Sequence, residues 1–590
     1  MTLSGWRTLA GAIGLSLTAA LTAAPASAQS TMDSQCTGNR DIPWDQQIIG
    51  CTNAVKSGGY TGNDLAVIFN NRGNAHLAES DFDRAVADYN EAIRLDPHYA
   101  VAFNGRGTAQ QAKGDLDRAI ADYSEAIRLD PAYILAFNNR GLGYSNRGDY
   151  DRAVADFDQV IRLDPKNPIA FNNRGNAYLA NGDLDRAVAD YDQVIALDPK
   201  NAVALNNRGN AYLAKGNPDH AIADYNEAIG LVSKFPNALN RRGYAYFLKG
   251  DLGRAIADYD RIIELDPKSA VAFNNRGNAY LAKDDFDRAV ADYDEAIRLD
   301  PNDAIAFNGR GTAHQAKGEL DRAIADYTES IRLDPAYILV FNSRGLAYSD
   351  KDDYDRAIAD FDHVIQLDPR NTKAFNRRGN VYRAKGDLDH AIDDYTEVIR
   401  LDSKNALAFN SRGSAYLAKG HLDRAIADYD EAIRLDPDEP GTYLNRGLAN
   451  LYSGSLQKAE ADFERSGELN SKDAYVALWL DIADRRNSQP SRLAEATTRI
   501  DMTKWPAPLI RLYLDQITPE AVLAGADDPD TSTKTRQVCE ADFFIGESAL
   551  QRSAKDEAVH QFRRAAADCA KNINWLALIN NELRTLGAQP

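Results

Sequence analysis

The sequence predicts an all-α solenoid of stacked helix pairs, and three observations predict it. The dipeptide Arg-Gly recurs every 34 residues, twelve times, from Arg72 to Arg446 without a slip. Within each period, small and apolar residues repeat at helical spacing in two separate runs. Most periods then close on a helix-stopping pair such as Asp300-Pro301. A fixed period of this length belongs to an array whose units contact only their neighbours, not to a globular core.

The unit that begins at Ala270 shows the elements in order. Phe273, Gly277 and Tyr280 share one face of a first helix. Ala289, Tyr293, Ala296 and Ile297 share one face of a second. The glycine and alanines allow close approach of the two helices, and the aromatics fill the space between them. Proline at 301 then ends the second helix, because it cannot continue the hydrogen-bond ladder.

This pattern resembles the tetratricopeptide repeat (TPR), with Arg276 standing where that family has Leu before the glycine. The resemblance covers residues 66–473 as twelve ungapped units. Gly546, Ala558, Phe562 and Ala565 keep the same spacing in a thirteenth, degenerate unit at 539–572. The resemblance implies a right-handed TPR solenoid of about thirteen helix-turn-helix units with helical caps. On that plan 29–65 is an N-terminal helical cap, 474–538 an irregular helical segment and 573–590 a C-terminal capping helix. Units one to three recur as units seven to nine, as in the match of Phe103-Asn-Gly-Arg-Gly to Phe307-Asn-Gly-Arg-Gly. The joint at 231–236 lacks Asp-Pro and reads as drift.

Residues 1–28 read as a secretory signal. A single charge at Arg7 precedes an apolar run, which ends at the small-residue site Ala26-Ser-Ala28. Cleavage after Ala28 is expected, placing the mature chain in the periplasm or outside the cell. No other run reaches the ~20 apolar residues of a membrane span. A net charge of −19 disfavours nucleic acid and anionic lipid as partners. Four cysteines in an exported chain point to two disulfides, for which three pairings exist. Cys539 at the opening of the first helix of unit thirteen and Cys569 at the end of its second would be neighbours in a helix hairpin. Cys36 and Cys51 then pair near the other end, the alternative being four buried free thiols.

Every unit also carries Asp sixteen residues after its Arg, as in Arg276 with Asp292 and Arg310 with Asp326. Opposite charges at partly buried sites must pair, so a structural ladder of Arg–Asp ion pairs is expected, within or between units. The alternative is that the arginines bind anionic ligands. The resemblance implies that first-helix positions 2, 5, 9 and 12 face a concave groove. Position 2 is mostly Val, Ile or Leu. Position 5 is Asn70, Asn104, Asn138, Asn172, Asn206, Asn240, Asn274, Asn308, Asn342, Asn376 and Asn410. An amide row can hydrogen-bond an extended peptide, so these asparagines are the candidate ligand residues. The bland reading is that duplication copied them, or that they satisfy neighbouring helix groups. The carboxylate clamp of chaperone-binding TPRs is matched only by Lys373 and Arg377. Asn308, Thr312 and Ser343 depart from it, so that function does not carry over.

Nothing in the sequence supports catalysis, a metal or a cofactor. The eight histidines are scattered, and a feature copied twelve times is architecture. Groove aromatics are confined to Tyr244 and Phe247, which argues against a carbohydrate-binding module. The reading is a non-catalytic scaffold or adaptor of the bacterial envelope that binds peptide or protein partners in its groove. A self-assembling, homo-oligomeric structural protein or a polysaccharide-associated one is the alternative.

Overall fold

A computed structural model of the chain describes Cys36, residues 41–569 and residues 573–589. The expected signal at 1–28 lies outside these residues. Among them the chain is helical, with no strand. It divides into two bodies, residues 1–284 and 285–590. Each is a stack in which a helix packs on the one before it and the one after it.

The repeat is set by local chemistry. In unit eleven the first helix is Ala406–Ala418 and the second Leu422–Leu435. Between them Gly420 has φ +77°. That left-handed turn favours glycine, and among the twelve regular units Ser80, Asp284 and Asp352 take the same place without it. The second helix of most units starts on an aspartate cap. Asp285 of unit seven, for example, accepts from the Arg288 N–H at 3.3 Å. It ends on an aspartate turn, in which the Asn302 N–H donates to Asp300 Oδ1 at 3.1 Å. The joint at 231–236 keeps this plan: one helix ends at Leu231 and the next starts at Pro236, in register with the rest.

The core is a column of alanines around one aromatic per unit. Ala391, Ala408, Ala415 and Tyr395 are buried, and Tyr395 packs against Gly379. A Cβ on Gly175 would stand 2.8 Å from the Tyr191 ring. Gly175→Ala is therefore expected to destabilise its body by about 1–3 kcal/mol in urea unfolding. An unchanged midpoint would show that the ring swings aside.

The ends differ from the expected boundaries. A helix at Trp44–Ser57 precedes the array, and the first helix of unit one already starts at Gly62. In the C-terminal body, Ala474–Arg486 is a regular helix. Three short ones follow, at Leu493–Ala496, Ala507–Tyr513 and Pro519–Gly525. The first helix of unit thirteen is Thr531–Gln551, so Cys539 lies inside it and does not open it. The helix starts early because Asp530 caps it, accepting from the Thr533 N–H at 2.8 Å. Cys539 joins Cys569, which follows the helix Lys555–Asp568, and Cys36 joins Cys51.

Candidate functional site in the first-helix groove

The arginine of each unit but the seventh makes a three-point connection within its own body. Arg310 Nε and Nη2 donate to the two carboxylate oxygens of Asp326, at 3.0 and 2.6 Å. Its Nη1 donates to Asp294 of the preceding unit at 2.6 Å. The same bidentate bond joins Arg106 to Asp122, Arg208 to Asp224 and Arg378 to Asp394, among others. Arg276 donates to Asp260 at 2.5 Å; Asp292 lies across the division between the two bodies. The backward bond was not anticipated. Its signal was legible, since Asn90, Ser124, Asp158, Asp192 and Asn226 repeat a short polar residue at one position.

Electrostatics make the pair a device of register more than of net stability. Desolvation pushes the carboxyls of Asp156, Asp190 and Asp394 above their usual range, against the pull of their arginines. The bidentate bonds in turn hold the protons of Arg140 and Arg174 more tightly. Where burial outweighs attraction, an ion pair adds little stability but penalises its own disruption.

Position 9 answers to the buried aromatic. Tyr89, Tyr191, Tyr225 and Tyr395 donate to Asn74, Asn176, Asn210 and Asn380 at 2.7–2.8 Å. Tyr429 donates to Ser414 at 3.2 Å. Units with Phe157, Phe361 or Phe463 instead carry Leu142, Leu346 and Leu448 there. A buried hydroxyl requires an acceptor and a phenyl ring does not.

The asparagine row is engaged or enclosed, and none of its eleven members is exposed. Five accept from an amide of the next unit: Asn104 from Asn139, Asn138 from Asn173, Asn172 from Asn207, Asn240 from Asn275 and Asn410 from Asn445. The Oδ1 atoms of Asn70, Asn206, Asn274, Asn308, Asn342 and Asn376 are buried without a partner. Where the next unit lies in the same body, it has Gly, Ser or Arg in place of the donor amide.

Position 2 is the exposed row. Ile169, Val203 and Val271 in the N-terminal body are 54–60% exposed; Ile305, Leu339 and Leu407 in the other are 49–61% exposed. In the C-terminal body the groove deepens into a cavity of about 390 Å³. It is lined by units ten to twelve and by Ala577 and Leu578 of the helix Ile573–Thr585. Among the described residues no group of three or more His, Cys, Asp or Glu could hold a metal.

Tetratricopeptide repeat family models match residues 70–134, 138–202, 206–270 and 274–338, and others match 178–229, 340–371, 379–420 and 413–454. The chain belongs to the tetratricopeptide repeat family. Among solved structures it is similar to a TPR protein from Parabacteroides merdae. That match has 20% identity and a TM-score of 0.37, over 42% of this chain and 98% of that one. It is also similar to yeast Tom70, at 18% identity and a TM-score of 0.34, over 73% of this chain and 98% of that one. A third is YrrB, described as a TPR protein with an unusual peptide-binding site. There the identity is 23% and the TM-score 0.27, over 31% of this chain and 95% of that one. No curated relative matches the sequence. In TPR terms the departure of this chain is its arginine before the glycine, which occupies the family's apolar site.

Proposed function

We propose that the protein is a non-catalytic scaffold of the bacterial envelope whose first-helix groove receives extended segments of partner proteins. TPR proteins are interaction scaffolds as a family, and the chain has that fold. The observation that supports groove binding is the set of exposed aliphatic side chains at position 2, Ile305, Leu339 and Leu407 in the C-terminal body, interrupted only by Lys373 of unit ten. An apolar row rimmed by amides is a surface that a partner would cover. The envelope location rests on the signal-like residues 1–28, and two disulfides suit an oxidising compartment.

The triple variant Ile305→Asp, Leu339→Asp, Leu407→Asp tests the groove. These exposed positions should tolerate it with a near-wild-type thermal midpoint. In envelope crosslinking mass spectrometry, partners seen with the wild type should be lost. Retention of the same partners would overturn the groove reading. Concentration-dependent oligomers with no partner would favour self-assembly.

A further inference from the structure

The C-terminal helix Ile573–Thr585 doubles back on the array. It follows the thirteenth unit in sequence, yet it packs on the first helix of unit eleven, Ala406–Ala418. Its Ala577 and Leu578 complete the cavity wall together with Leu407, Leu417 and Leu448. Arg584 lies beside the turn at Gly420. A segment of this chain thus occupies part of the surface on which a partner would sit. The disulfide Cys539–Cys569 staples the preceding helix pair and ends just before this helix. Undocking of the helix therefore leaves the stapled pair closed.

One buried charge cluster holds the helix down. Arg486 Nη2 donates to Glu547 Oε2 at 2.7 Å and to Glu582 Oε1 at 2.8 Å. Glu582 belongs to the docked helix, Arg486 to Ala474–Arg486 and Glu547 to Thr531–Gln551. Both glutamates are at most 2% exposed. In the ladder an arginine also serves two carboxylates, but the second stays in solvent: the side chain of Asp294 beside Arg310 is 56% exposed. Here two buried carboxylates share one cation, so a proton has to supply the missing positive charge. Burial and the neighbouring Glu582 push the Glu547 carboxyl from its ordinary 4.5 up to about 8. The other groups facing the cluster do not supply that charge. Burial keeps the Tyr452 and Tyr513 hydroxyls protonated and neutral. Arg485 is engaged by Asp481 and by the Tyr513 carbonyl. The helix Lys555–Asp568 sets Phe562 against Gly546, next to Glu547.

We propose that the helix Ile573–Thr585 is an autoinhibitory plug of the groove, latched by a proton that Glu547 and Glu582 share over Arg486. The latch stands on the cluster alone; its consequence for partners rests on the groove reading. Undocking frees Glu582 and returns both carboxyls to water, which favours their ionised forms. The docked state therefore holds one proton more than the undocked state between about 4.5 and 8, and docking weakens as pH rises through that window. Below the window the plug is seated most firmly. Above it the cluster carries an uncompensated buried charge and the plug is loosest.

Hydrogen exchange on the full chain tests the latch. Corrected for the chemical exchange rate, the opening constant of residues 573–589 should rise about tenfold per pH unit between about pH 5 and 8, then level off. Glu547→Gln leaves Arg486 with one carboxylate, so its opening constant should stay low and flat with pH. Asp542, in the hairpin beside Arg564, is pushed up to about 7 by burial. Asp542→Asn should nevertheless leave the slope of 573–589 in place. Hydroxyl-radical footprinting of Arg486→Met tests the plug. Two carboxyls without a cation should release the helix at about pH 8.5 and hold it at about pH 5. The buried Leu417 and Leu448 should then be oxidised only at the higher pH, with residues 531–569 still protected. A flat slope in the wild type, or an unchanged slope in Glu547→Gln, would overturn the proposal. So would Leu417 and Leu448 that stay protected after residues 573–589 open, or a hairpin that opens with them. Failure of the groove reading would show separately, as partners retained by the aspartate triple variant.

Discussion

Arg378→Met is expected to lower the stability of the C-terminal body by about 3–5 kcal/mol, the usual effect of stranding one member of a buried pair. Asp394 has only 6% of its side chain exposed, and Arg378 supplies both of its arginine bonds. The same guanidinium also donates to Asp362 of the preceding unit. Its removal leaves two carboxylates facing each other without a cation, one of them buried. Because a solenoid couples only neighbours, the loss should appear locally. Hydrogen exchange should quicken in units nine to eleven before the rest of the body. Arg378→Met with Asp394→Leu should recover most of the stability, since it removes the buried charge together with its partner. A single variant as stable as the wild type would refute a structural role for the ladder.

Replacing Cys539 and Cys569 together by Ser should cost about 3–4 kcal/mol of local stability, from the loop entropy that a closure of this length removes from the unfolded chain. The two cysteines are 30 residues apart and each is 1% exposed. They tie the helix pair Thr531–Gln551 and Lys555–Asp568, on which the rings of Trp479 and Trp575 pack. The end of an array has a neighbour on one side only, so fraying starts there and the bridge acts where it matters most. Exchange protection in residues 531–569 should fall in the double variant while that of units eight to ten holds. Equal protection in variant and wild type would show that packing alone secures the end.

The periodic features were the readable ones. Twelve-fold co-occurrence of Arg and Asp announced a pair, because two buried charges have few other outcomes. The link between Tyr or Phe and the residue at position 9 was equally present in the letters, yet its meaning depends on the ring being buried. The asparagine row shows the limit. Its spacing announced a face of the helix, but an amide has a donor end and an acceptor end, and the next unit decides which is used. Asn410 and Asn376 look alike in sequence; one accepts from Asn445, while the other has Ser411 at that position of the next unit and its oxygen is enclosed without a partner. At Cys539 the template of the repeat misled about the start of a helix, where the cap at Asp530 overrides periodicity.

The sequence by itself determined the repeat, its two helices and its ion pairs. Those follow from spacing and from the penalty on unpaired buried charge, and they act within one unit and its neighbour. Only the tertiary structure decided that five oxygens of the asparagine row accept from the next unit while six are enclosed without a partner. Only it brought the helix Ile573–Thr585 against unit eleven to wall a cavity around Arg383. The reason is physical: hydrogen-bond direction and enclosure depend on residues far apart in the chain, which no period of 34 residues records.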